Sequence, residues 1–199
     1  MKKFELTNEF ITNMFGTKLF RIRALVEFGD VEAGELGGYV EKESNLGHDD
    51  NAWVYDNAWV YGNARVYGDA QVSGDALVYG NARVYGDAQV SGDALVCGNA
   101  RVCSDALVCG NARVCSDEDY AYAHGFGSVN RTTTFFRLKD GGVGVRCGCF
   151  YGTLAQFRDK IRETHGETKK AQEYLMLADL MELRFEEDEN EVGNRKYVE

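Results

Sequence analysis

No apolar run in this chain approaches the roughly 18 residues that a membrane span requires, so no bilayer-crossing segment is expected. Met1-Lys2-Lys3 is not followed by the apolar core of a secretory signal, and the expected location is the cytoplasm. Cations are in deficit: 22 Lys and Arg stand against 32 Asp and Glu, for a formal charge of −10. That excludes broad, sequence-independent nucleic-acid binding, which needs clustered cations to neutralise phosphates, but leaves room for a local basic strip. Histidines number only three, and a three-histidine zinc site, which would need them convergent at rung-compatible spacing, is not expected. Six cysteines are present, but four of them (Cys97, Cys103, Cys109 and Cys115) recur every six residues in a slot that Tyr or Ser fills earlier. They read as interchangeable surface side chains carrying free thiols rather than as a disulfide framework.

What the chain has is a repeat. From Asn51 it runs NAWVYD, NAWVYG, NARVYG, DAQVSG, DALVYG, NARVYG, DAQVSG, DALVCG, NARVCS, DALVCG, NARVCS, eleven hexads without an insertion. Val recurs every six residues from Val54 to Val114, with Ala two places before it. Residues two apart on a strand share a face, so Ala and Val point inward and their neighbours outward. Gly with Asn or Asp supplies each turn. Residues 63–78 and 81–96 are identical, which sets a larger period of eighteen, three strands to a triangular coil. At about 4.8 Å per rung, the prism is on the order of 18 Å long. A single coil cannot bury its own face; stacking makes the core. Leu46 and Val54 are eight apart, which predicts a two-residue irregularity around Gly47-His48-Asp49.

Residues in this pattern resemble the hexapeptide-repeat proteins that form left-handed parallel β-helices, a group best known for acyltransferases and usually trimeric. The flanks, LFRIRALVEFGDVEAGELGGYVEKESNL before the repeats and TTFFRLKDGGVGVRCGCFYGTLAQFRDKIRETHG after them, are similar to an uncharacterised group common in phages and prophages. That likeness spans nearly the whole chain. It implies a mobile-element origin, with the host cytoplasm as the working compartment, and no established activity.

Folding the hexads by three separates the outward residues. The first face carries Trp53, Gln71, Gln89 and Leu107. The second carries Trp59, Leu77 and Leu95 with Tyr61 and Tyr79, too apolar a strip to leave in water, and is expected to pack on another subunit or on the C-terminal helices. The third carries Arg65, Arg83 and Arg101 beside Tyr67 and Tyr85. Those guanidinium groups could grip an anion such as a nucleotide phosphate, with Tyr stacking a base, or simply solvate the strand and pair with nearby Asp. Asp69, Asp87 and Asp105 align at one corner and read as turn formers.

The fold expected is mainly β: residues 1–35 as an N-terminal cap, 36–127 as the β-helix, 128–185 as a ββαα unit, and 186–199 as a disordered acidic tail. Thr132–Leu138 and Val143–Cys149 flank Asp140-Gly141-Gly142 as a hairpin. Thr153 and Gln156 form a capping box that opens one helix, and a second carries Tyr174, Leu177, Ala178, Met181 and Phe185 at helical spacing. Cys147 and Cys149 lack further ligands for zinc.

Three functions compete. Acyl transfer from acyl-CoA needs a general base, for which the weak candidates are His48 and His124; His165 reads as a helix C-terminal residue. No long inserted loop builds an acceptor pocket. A non-catalytic binding protein, a trimer as the resemblance implies, would present its flat ladders to a host protein or a small anionic ligand, and inhibition of a host defence fits a phage origin. A passive assembly protein is the third. No cofactor and no metal are implied. Near-identical coils favour binding, because a catalytic pocket breaks coil equivalence at a particular rung.

Overall fold

The computed structural model describes residues 2–126 and 130–186. Strands β1 (Phe4–Thr12), β2 (Lys18–Ala24) and β3 (Leu36–Val40) come first, then a 3-10 turn at Glu43–Asn45. Eleven two-residue strands follow, β4 (Trp53–Val54) to β14 (Arg113–Val114), each a repeat valine and the residue before it. The chain continues with β15 (Tyr120–Phe126), β16 (Arg131–Arg137), β17 (Val143–Cys147) and β18 (Phe150–Thr153). It ends in helices α1 (Leu154–His165) and α2 (Lys169–Phe185).

The hexads wind into a parallel β-solenoid. Every repeat valine from Val54 to Val114 is fully buried, as is nearly every repeat alanine. Each buried valine stabilises by about 1.5–3 kcal/mol, but only because a neighbouring coil covers it. Strands pair in register at a separation of eighteen: Gln71 lies over Gln89, Leu77 over Leu95, Arg65 over Arg83. The turn glycines take positive φ, near +70° at Gly68 and Gly74, and a Cβ on Gly68 would lie 3.0 Å from the Gly86 nitrogen one coil on. Asp56 and Ser104 hold the same slot at φ of 52° and 56°. These are tolerable but less favourable than glycine.

Three sheets result, matching the threefold sorting of the sequence. The first face holds β4, β7 (Gln71–Val72), β10 (Gln89–Val90) and β13 (Leu107–Val108). The third holds β6 (Arg65–Val66), β9 (Arg83–Val84) and β12 (Arg101–Val102), preceded by a bridge from Leu46 to Val66. The second holds β3, β5 (Trp59–Val60), β8 (Leu77–Val78), β11 (Leu95–Val96) and β14, and β1 and β2 extend it antiparallel into seven strands. The N-terminal segment therefore continues a sheet as well as closing an end. Trp53, expected to point outward into solvent, is instead fully buried under Phe4 and Phe28, with ring centroids 6.2 and 5.3 Å away.

The C-terminal strand set is larger than a hairpin. Residues of β16 and β17 pair as expected, but β15 and β18 flank them in a four-stranded antiparallel sheet. β15 lies within the 36–127 span expected to be β-helix, and Tyr120 and Phe126 still fall on the six-residue period. Alternation along β16 explains the placement. Phe136, with Leu138 beyond the strand end, joins the core of the repeat valines, and Thr134 accepts a hydrogen bond from the Leu107 N–H at 2.9 Å. Phe135 points to the other side, into a second core with Val145, Leu154, Phe157, Ile161, Tyr174 and Met181. The sheet is thus sandwiched between the end of the solenoid and the two helices. The Thr153–Gln156 capping box is present at α1, and Gly166 closes that helix at φ +55°. No described helix is long and apolar enough to cross a membrane. The acidic tail lies, past Glu186, outside the described residues.

Candidate functional site

The third face is a ladder. Arg65, Arg83 and Arg101 are exposed and stacked in register, and none makes an ion pair among the described residues. Pairing with the corner aspartates, the bland alternative for these arginines, does not occur. Asp69 instead accepts from the Asn51 amide at 2.7 Å, and Asp105 lies 3.5 Å from the Thr132 hydroxyl. The residue two before each arginine forms a second ladder. Asn63 donates to Asn81 at 3.3 Å, and Asn81 to Asn99 at 3.1 Å. Asn and Arg together line a groove of about 310 Å³. Asn63 and Asn81 each spend one amide donor along the ladder, and the guanidinium groups are the charged donors of the groove. The asparagines are printed in every NAR hexad of this face, yet their role as a groove wall emerges only once the coils stack.

Tyr67 and Tyr85 sit beside this groove with ring centroids 5.1 Å apart and planes 2° from parallel. They stack on each other and leave no room for a third ring between them. A base could stack only on the outer ring faces, and the Arg65 guanidinium lies 5.6 Å from the Tyr67 ring. Physically this is a consequence of the strand spacing, which brings identical side chains on successive rungs into contact.

On the second face Trp59, Leu77, Leu95, Tyr61 and Tyr79 are half-buried, and Tyr61 stacks on Tyr79 at 5.0 Å. Burial raises the Tyr61 phenol above its ordinary pKa. Ile11 and Tyr39 prolong the strip, and with Trp59 and Leu77 they line a groove of about 300 Å³. The helices do not cover it; their core contains no residue of this face. At the far end Leu95 is followed by Arg113 in the same sheet.

Beside that end, Cys97 and Cys115 form a disulfide. This corrects the expectation of free thiols throughout. Eighteen residues is one coil, so the two side chains fall on successive rungs with Cα atoms 4.3 Å apart, within bonding reach. Cys103, Cys109, Cys147 and Cys149 are free. The Cys147 thiol meets the Thr133 hydroxyl at 3.2 Å, and the described residues contain no cluster of His, Cys, Asp or Glu able to hold a metal.

His48 is engaged on both nitrogens. Nδ1 accepts from the Lys3 N–H at 3.2 Å, Nε2 lies 2.9 Å from Glu43, and the ring stacks on Phe4 at 4.5 Å. Such an imidazole fastens the N-terminal strand. His124 is more open; its Nδ1 lies 2.9 Å from the Thr132 hydroxyl. The two belong to opposite ends of the solenoid and build no common site. His165 stacks near Tyr174 at the end of α1.

Residues 58–74, 70–86, 76–92 and 88–104 each match the family model described as the YdcK Beta solenoid repeat. The matched windows begin at the alanine of a hexad and step by multiples of six, so the likeness is to the repeat itself. No curated protein matches the chain.

Proposed function

We propose that this chain is a non-catalytic binding protein that engages an anionic partner through the Arg65–Arg83–Arg101 ladder. The observation that carries the reading is three exposed guanidinium groups without a carboxylate partner, in a chain whose formal charge is −10. A solenoid that only needed solvation could have paired them with its surplus acids. Guanidinium forks one rung apart suit an oligo-anion, such as the phosphates of a nucleotide signal or an acidic strip on a protein. The sequence likeness to phage and prophage proteins makes a host factor the natural partner, a defence protein or its signal, met in the host cytoplasm. The half-buried second face would pack on further copies of the chain in a homotrimer. Acyl transfer is the weaker reading, since His48 is consumed by structural contacts on both nitrogens.

Calorimetric titration of the intact chain with inorganic tripolyphosphate tests this reading. Saturable binding is expected, weakening steeply between about 50 and 200 mM salt. Arg83→Ala should lower affinity about tenfold, the scale of one charge-assisted hydrogen bond. Binding that ignores Arg83→Ala, or no binding at low salt, rejects the ladder as the site.

A further inference from the structure

Beyond the tryptophan-bearing first coil, the order of hexads breaks once in the array. After Asn99-Ala100-Arg101-Val102 the chain passes directly to Asp105-Ala106-Leu107-Val108, skipping the Asp-Ala-Gln-Val unit that follows earlier NARV hexads. On the first face this places Leu107 where Gln71 and Gln89 stand on earlier rungs, and Cys109 where Ser73 and Ser91 stand. The polar ladder ends in an apolar rung.

The C-terminal sheet overhangs that rung. Arg146 on β17 and Tyr151 on β18 are cross-strand partners, so their side chains share one face of the sheet. Both line a cleft of about 280 Å³ whose solenoid wall includes Gln89, Ser91, Leu107 and Cys109. The Tyr151 hydroxyl donates to Asn111 Oδ1 at 3.1 Å and rests against Gly110, where any Cβ would overlap it. That contact holds the phenol in place and closes one end of the cleft. Arg146 is half-buried and has neither a hydrogen bond nor an ion pair among the described residues.

We propose that this cleft binds a small monocarboxylate with a compact apolar or aromatic body. One unpaired guanidinium matches one negative charge, and its planar fork matches a carboxylate better than a bulkier polyanion. Leu107 and the Cys109 side chain offer the apolar floor, while the Ser91 hydroxyl and Gln89 amide at the solenoid side can orient a polar substituent. The volume equals about nine water molecules at roughly 30 Å³ each, ample for a single-ring acid. Burial holds the Cys109 thiol above its ordinary pKa, so it serves as lining and not as a nucleophile. The site is independent of the arginine ladder, and the skipped hexad is what creates it.

Benzoate is the probe, followed by amide chemical-shift titration of the intact chain. Saturable shifts are expected at Leu107 to Gly110 and at Tyr151. Arg146→Gln should weaken binding about tenfold or more while leaving the fold intact, because Arg146 has no partner to lose. Leu107→Gln, which restores the repeat, should weaken it several-fold, and Arg83→Ala should leave it unchanged. Benzyl alcohol, the neutral isostere, should bind the native chain no better than benzoate binds the Arg146→Gln variant. The proposal is overturned if the shifts do not saturate, if they centre elsewhere, if Arg146→Gln has no effect, or if benzyl alcohol binds as well as benzoate.

Discussion

The two ends of the solenoid are closed by groups of opposite hydrogen-bonding polarity. Within the array the N–H groups on either side of each repeat valine donate to carbonyls of the following coil, as Trp53 does to Ala70 and Tyr55 to Val72, while the valine N–H turns back to the preceding coil. The first coil is therefore left with a surplus of bare carbonyls and the last with a surplus of bare N–H groups. At the first, the closing side chains are mostly donors: Lys3 Nζ reaches Ala52 O at 2.8 Å and Asp50 O at 3.2 Å, and the Asn45 amide reaches Ala64 O at 2.8 Å, while Glu41 accepts from the Gly62 N–H at 2.6 Å. At the last they are mostly acceptors: Thr134 takes the Leu107 N–H, Asp117 the Arg101 N–H at 2.7 Å, and Asp119 those of Cys115 and Ser116 at 2.9 Å, while the Tyr120 hydroxyl donates to the Arg101 carbonyl. A parallel solenoid has a chemical direction, and its caps must respect it.

The apolar plugs, by contrast, are alike at the two ends. Phe4 and Phe136 are both fully buried in the core of the repeat valines. Phe4→Ala and Phe136→Ala should each cost about 3–5 kcal/mol in denaturant unfolding. This is the largest effect expected. If Phe136→Ala unfolded only the C-terminal sheet and helices, leaving amide protection in the repeats intact, the two ends would not be closing one core.

The repeat was legible because its period encodes inside and outside at once: Ala and Val two apart, every six residues, admit one threefold winding. The caps were far less so. Trp53 is buried by Phe4 and Phe28, whose proximity depends on a hairpin folding back, and nothing in NAWVYD distinguishes it from the exposed hexads. β15 was masked by Tyr120, which keeps the six-residue period while its strand leaves the solenoid, and β18 is four residues running straight into a helix cap. The Cys97–Cys115 bridge was printed as a spacing of eighteen, but substitution of Tyr by Cys in one slot argued for surface tolerance. Of the candidate site, the arginine ladder followed from counting hexads by three. Its asparagine wall and the cleft under Arg146 required knowing what stacks on what.

A smaller effect tests the polarity itself. Asn45→Asp keeps the size and the acceptor that takes the Lys42 N–H at 2.9 Å, but replaces the donor facing Ala64 and Gly62 carbonyls with an oxygen. Thr134→Val at the other end keeps the shape and removes the acceptor for Leu107. Each should destabilise by about 1–3 kcal/mol, the cost of leaving a buried polar group unsatisfied. Equal stability of Asn45→Asp and the parent in urea would contradict the assignment of donors to the carbonyl end.

The last and smallest effect concerns charge at the donor end. Burial lowers Lys3 from 10.5 to about 8, against the opposing pull of Asp50, Asp49 and Asp69. Between those values the unfolded chain binds the proton that the folded chain has released. Stability therefore rises with pH through this window, and the penalty for the buried cation is fully present below it. From pH 7 to 9 the gain from this one group should be about 1 kcal/mol. Neutral lysine still carries two N–H donors, which match its two carbonyl partners, so the cap survives deprotonation. Tyrosines act in the opposite sense above pH 10. Burial holds Tyr174 up at about 12, so the unfolded chain ionises first and stability falls. A maximum near pH 9 to 10 is expected in urea midpoints (roughly between the two windows), and Lys3→Met should abolish the rise while leaving the alkaline fall. A rise that persisted in Lys3→Met would place the titrating group elsewhere and leave the donor end without its charge.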